Sequence, residues 1–181
     1  VLAAWPVEPH AAPVVTEMQP RHGRPGTRVV FTGKELQLVS AVKFGAALAD
    51  WEPVTVIDGQ GRPHVFEIHA TVPNAATTAR PTLATPLGDI TMPMPFVVAP
   101  RITGFHPARG WEGTIVTIEG QNFTGVTAVK FGGRLANFSV TAPTQIRAVV
   151  PAGVADGAIT VSHEESGTSG WPFVAAGPGP I

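Results

Sequence analysis

Apolar and polar positions alternate along this chain with a period of two. In Gly113-Thr114-Ile115-Val116-Thr117-Ile118-Glu119-Gly120, Ile and Val are interleaved with Thr and Glu between glycines, the pattern of a half-buried strand. Ala128-Val129-Lys130-Phe131 predicts a second strand, running into Gly132-Gly133 as a tight hairpin turn. Gln145–Val150 predicts a third strand, stopped by Pro151, and Ala158–Ser162 a fourth. No stretch carries a sustained 3.6-residue period, so helices are not expected. Short strands at this spacing, with turn residues between them, predict a small sandwich.

The pattern is written twice. Over residues 20–45 and 107–132, twelve of 26 ungapped positions are identical, from Pro20/Pro107 and Gly26/Gly113 to Phe44/Phe131 and Gly45/Gly132. Ile68, Ala70, Val72 and Pro73 then match Ile146, Ala148, Val150 and Pro151 at a shift of 78 instead of 87. Nine extra residues are therefore expected in the first copy, within Val56–His64. Gly88, Ile90 and Thr91 align with Gly157, Ile159 and Thr160 at a shift of 69, predicting about nine more within Asn74–Leu87. Pro95-Phe96-Val97 aligns with Pro172-Phe173-Val174 at 77, which predicts a second copy eight residues longer around His163–Gly170. A repeat of this length is a duplicated domain. The expected organisation is a tail (1–12), a first domain (13–98), a second domain (99–176) and a tail (177–181). A stiff linker at Ala99-Pro100 joins the two domains.

The run Pro107-x-x-Gly110-x-x-Gly113-Thr114-x-Val116-x-Ile118-x-Gly120-x-Asn122-Phe123 is followed by Ala128-Val129-x-Phe131-Gly132-Gly133, Val150-Pro151 and Gly157-x-Ile159-Thr160-Val161. Together these resemble an IPT/TIG domain, the immunoglobulin-like fold of plexins, some transcription factors and many bacterial surface proteins. The first copy departs from the pattern, with Lys34-Glu35-Leu36 in place of Asn-Phe. The resemblance implies an all-β protein of two tandem immunoglobulin-like β-sandwich domains. It also implies a non-catalytic module for binding or spacing.

Composition agrees with short strands and turns. The 181 residues include 20 Gly and 19 Pro, while charged residues are 14% against the usual ~25%. A net charge of −1 provides no field for nucleic acid or anionic lipid, and no 18-residue apolar run is present to span a membrane. Cys is absent, which removes disulfides and thiolate chemistry. Val1-Leu2-Ala3-Ala4-Trp5 has no basic region before an apolar core. It is expected to be a processed or trimmed end of a longer product and not a signal peptide.

Catalytic motifs are not found. His10, His22, His64, His69, His106 and His163 form no His-x-x-x-His pair. His64 and His69 are expected as a loop and a strand residue. Glu164-Glu165 are neighbours on a loop and would point apart. Ser166–Gly170 is a small-residue loop with no Gly-x-Ser-x-Gly elbow. Asp58-Gly59 and Asp156-Gly157 read as turn formers. No cofactor or metal is expected.

Three features are candidates for recognition. Arg21, Arg24 and Arg28 gather with His22 in eight residues; a solvated loop is the favoured reading over an anionic contact. The polar insertion with Asp58, Gln60 and Arg62 is expected to lengthen a hairpin tip, a common place for recognition. Trp111, in a Gly-flanked turn, is expected to pack across the elbow in preference to standing exposed as an interface anchor. Trp51 and Trp171 read as structural. Asn122-Phe123-Thr124 and Asn137-Phe138-Ser139 are formal glycosylation sequons that follow from the family motif.

The expected function is spacing and protein–protein or adhesion contact in a cell-surface or extracellular assembly. The partner would be a protein or a surface glycan, with no nucleic acid and no membrane insertion. The alternatives are a decoration protein of a phage or injection particle, and an accessory carbohydrate-binding module of a polysaccharide-active enzyme.

Overall fold

A computed structural model describes residues 11–57, 59, 61, 63–163 and 167–175. The chain divides into two compact units. Among the described residues, one holds 11–21 and 25–96, and the other holds 97 onward together with 22–24. Both are all-β immunoglobulin-like sandwiches apart from a single 3-10 turn.

The first half contains β1 (Val14–Gln19), β2 (His22–Gly23), β3 (Arg28–Lys34), a 3-10 turn (Leu36–Leu38), β4 (Ala41–Phe44), β5 (Ala47–Leu48), β6 (Asp50–Ile57), β7 (Pro63–Thr71), β8 (Thr82–Ala84), β9 (Ile90–Thr91) and β10 (Val97–Val98). The second contains β11 (Arg101–His106), β12 (Arg109–Gly110), β13 (Ile115–Gln121), β14 (Ala128–Phe131), β15 (Arg134–Leu135), β16 (Phe138–Ala142), β17 (Gln145–Val149), β18 (Gly157–His163) and β19 (Gly167–Ala175). One sheet has the order β1-β3-β7-β6 in the first unit and β11-β13-β17-β16 in the second. The facing sheets are β5-β4-β8-β9 and β12-β19-β18-β14-β15.

The duplication holds residue by residue. Val29 stands opposite Ala70, and Phe31 opposite Ile68, as Val116 stands opposite Ala148, and Ile118 opposite Ile146. All eight side chains are buried. On the facing sheet, Phe44 meets Phe96 edge-on at 5.1 Å, and Phe131 meets Phe173 at 5.0 Å. Such edge-to-face pairs add about 1 kcal/mol to the burial of their area. The first strand of each unit carries a bulge, between Val15 and Glu17 and between Ile102 and Gly104. At that crossing a side chain on Gly33 or Gly120 would collide with the carbonyl of Val14 or Arg101. The Gly-Gly hairpin is present as expected: Gly132 and Gly133 both have positive φ, 53° and 87°, as a type I′ turn requires.

The departure in the first copy does not alter the loop. Glu35 adopts φ 56°, matching Asn122 at φ 59°, and the next residue, Leu36 or Phe123, is buried against the core. Leu36 opens the 3-10 turn, so one short helical turn stands where none was expected.

One alignment is corrected. In the first unit the strand pairing with β4 is β8, not the Ile90–Thr91 segment. Val42 stands opposite Leu83 as Val129 stands opposite Val161. Leu83 and Val161 are both fully buried, whereas Ile90 is only half-buried. The shift of 78 therefore continues through β8, and neither the second insertion within Asn74–Leu87 nor the eight-residue excess near His163 is needed to relate the strands. Three matched residues in a β-rich chain are too few to define register. The one insertion lies in the β6–β7 hairpin, whose strands run to 8 and 9 residues against 5 and 5 for β16–β17.

Candidate functional site

In an antiparallel sheet one face packs on the core while the other meets solvent. The solvent face of β3-β7-β6 carries the rows Arg28–Thr71–Asp50 and Val30–His69–Glu52, set by strand register. A concavity of about 220 Å³ lies there, lined by Arg28, Asp50, Glu52, His69 and Thr71, and bordered at the sheet edge by Trp51, whose own row faces the core. The second unit has a concavity of about 340 Å³ lined by Ile115, Asn137, Phe138, Ser139, Arg147 and Val149. Under the shifts of 87 and 78 the two sets coincide at all six positions. Duplication has thus kept one seat twice, with different chemistry in each.

In the first seat the polar groups largely satisfy one another. The Arg28 guanidinium donates to Glu52 Oε1 at 2.5 Å and to His69 Nδ1. His69 Nδ1 therefore acts as an acceptor, leaving Nε2 as the protonated nitrogen that donates to Glu67 Oε2 at 3.1 Å. Asp50 is exposed and Trp51 half-buried. The seat thus offers an aromatic surface, carboxylate acceptors and guanidinium donors to a ligand.

In the second seat Arg28, Asp50, Glu52, His69 and Thr71 are replaced by Ile115, Asn137, Ser139, Arg147 and Val149. Ile115 and Val149 stand side by side on neighbouring strands, and Phe138 packs partly against the core beneath. Every acid is gone, and Arg147 has no ion-pair or hydrogen-bond partner among the described residues. Glu119 lies one row away on the same face without pairing to it.

The recognition candidates read from sequence fall differently. Arg28 is not a loop residue: it opens β3 and is paired across the sheet, because the strand begins two residues after the Gly26 turn. Arg21 remains in an exposed bend, and Arg24 is exposed; neither lines the seat. Trp111 is 51% exposed. It occupies a turn outside the strand ladder, where no register draws it inward. Asp58, Gln60, Arg62, Glu164, Glu165 and Ser166 lie outside the described residues, as does the side chain of Trp171. The hairpin that Asp58, Gln60 and Arg62 were expected to tip does carry exposed Val56, Ile57 and Phe66, with His64 stacked on Phe66. Asp156 accepts a hydrogen bond from the Ala175 N–H at 2.6 Å, fastening the end of β19. No group of three or more metal-ligating side chains occurs among the described residues.

Asp50, Glu52, Asn137, Ser139 and Arg147 are not among the recognition candidates read from sequence, and His69 was expected only as a strand residue. The signal was available: they are the outward members of alternating strands at equivalent positions of the repeat.

The fold is immunoglobulin-like, and each unit carries an equivalent concavity on the same sheet. Residues 100–173 match the IPT/TIG domain model, so the second unit is an IPT/TIG domain. No curated protein sequence matches the chain. A crystal structure holding a xylogluco-oligosaccharide is similar at 22% identity and a TM-score of 0.50, over 94% of this chain and 42% of that one. A surface glycan-binding protein from Prevotella bryantii is similar at 16% identity and a TM-score of 0.47, over 90% and 42%. The extracellular region of plexin A4 is similar at 20% identity and a TM-score of 0.35, over 90% and 18%. This chain spans less than half the length of each of these structures.

Proposed function

We propose that this chain is a non-catalytic binding and spacing module of a cell-surface or extracellular assembly, and that its seats take glycan units. The carrying observation is the recurrence of the concavity on the same sheet face of both units, each with one aromatic and a few hydrogen-bonding side chains. A protein interface of standard size covers about 800 Å² on each partner. Six residues around a few hundred cubic ångströms suit a sugar-sized group better. The xylogluco-oligosaccharide held by a protein of similar fold makes a neutral oligosaccharide of that kind the first ligand to try. In the first seat the indole of Trp51 would support the apolar face of a sugar ring, while Asp50 and Arg28 meet its hydroxyls.

A protein partner is the second reading, favoured by the exposed Val56, Ile57 and Phe66 of the long hairpin and by Trp111. Calorimetric titration of the whole chain against neutral and acidic oligosaccharides separates the two. Binding that is lost in Trp51→Ala supports the glycan reading. A folded chain that binds no glycan overturns it in favour of the protein partner.

A further inference from the structure

We propose that the seat of the second unit binds the carboxylate-bearing sugar of an anionic polysaccharide, a hexuronate residue. The inference rests on the glycan reading above and adds the ligand class of one seat. Its first support is the contrast between sister sites. In the first unit the guanidinium at the seat is neutralised from within by Glu52, with Glu67 close by on His69. In the second, Ser139 replaces Glu52, Asn137 replaces Asp50, and Gln145 replaces Glu67. The guanidinium of Arg147 stands exposed on the seat with no acid paired to it among the described residues.

The surroundings narrow the ligand further. Ile115 and Val149 give the seat an apolar wall, with Phe138 bordering it at the sheet edge, and the C–H face of a pyranose packs against such a wall. Arg147 offers a planar fork that pairs with a carboxylate through two hydrogen bonds, stronger than those between neutral groups. Asn137 and Ser139 can each both donate and accept, the capacity needed for ring hydroxyls. An inorganic anion would leave the apolar walls unused, and a neutral sugar would leave the guanidinium unmatched. The volume of about 340 Å³ suits one ring in place of a broad peptide surface.

The test is calorimetric titration of the whole chain with tetragalacturonate, with the carboxyl-reduced neutral tetramer, and with tetraglutamate. Tetragalacturonate is expected to bind, weakening as salt is raised. Arg147→Gln should lower that affinity about tenfold or more, and Arg147→Lys should recover part of it. Ser139→Glu, which recreates the acid of the first seat, should lower it comparably by pairing Arg147 internally. Arg28→Gln should leave it unchanged. Unchanged melting of each variant shows that the fold is intact. Equal binding of tetraglutamate, equal binding of the neutral tetramer, or indifference to both Arg147→Gln and Ser139→Glu overturns the inference. If only neutral glycans bind, and Trp51→Ala abolishes it, the inference falls while the glycan reading stands. If no glycan binds, both fall.

Discussion

Glu35 and Asn122, 87 positions apart, adopt the same left-handed backbone conformation, and each presents a buried apolar residue to the core of its own unit. Asparagine enters this region at modest cost, whereas glutamate is less favoured there, its carboxylate accepting, among the described residues, only from the Gln37 side-chain amide at 2.5 Å. The geometry of the loop is therefore imposed by the apolar plug one residue later, Leu36 or Phe123. Replacing Glu35 with Asn or Gly should raise the stability of the first unit by roughly 0.5–1 kcal/mol. Chemical denaturation checks this, and a lower midpoint for both variants would contradict it.

The plugs themselves should matter more. Leu36→Ala is expected to cost about 2–5 kcal/mol and Phe123→Ala about 3–5 kcal/mol, since each empties a fully buried site. In thermal unfolding, each variant should lower the transition of its own unit.

Two glycines should be intolerant for different reasons. Gly120→Ala places a methyl group against the Arg101 carbonyl at the strand bulge, and something must shift. Gly132→Val forces a branched residue to φ 53° while pressing on the Ala155 carbonyl. Both are expected to destabilise the second unit by more than about 2 kcal/mol. By contrast, Gly104→Ala, at an open position with ordinary φ, should melt within about 1 kcal/mol of the parent.

The Arg28–Glu52–His69 cluster is mostly exposed, with side chains 59%, 65% and 20% accessible. Surface pairs of this kind are worth about 0–1 kcal/mol. Arg28→Ala should accordingly change stability little, as measured by the denaturation midpoint. A loss above about 2 kcal/mol would show the network to be structural.

The core was legible in sequence because strand periodicity and repeat coincide there. Val29/Val116, Phe44/Phe131 and Ile68/Ile146 are alike in both copies, and burial restrains each one. The leucine plug at Leu36 was only partly legible: the shift of 87 sets it on Phe123, but the side chains differ, and the shared backbone conformation is what gives them one role. The match of Ile90 to Ile159 misled because β-branched residues recur wherever strands do. The seat was missed for the opposite reason. Its residues differ at all six positions, so identity pointed elsewhere, while equivalence of position was the informative signal. Turn residues such as Trp111 are outside any ladder, and alternation does not reach them.

The outward rows of this sheet have consequences for engineering. Their backbone is fixed by buried partners on the opposite face, so recognition is written in side chains that folding scarcely constrains. Five of the six seat positions lie on outward rows, and the sixth is the aromatic at the sheet edge. Exchanging the set between units should therefore transplant ligand preference without moving a strand. The chain carries, in effect, two interchangeable sockets on a common frame, and a third preference could be introduced by rewriting one of them.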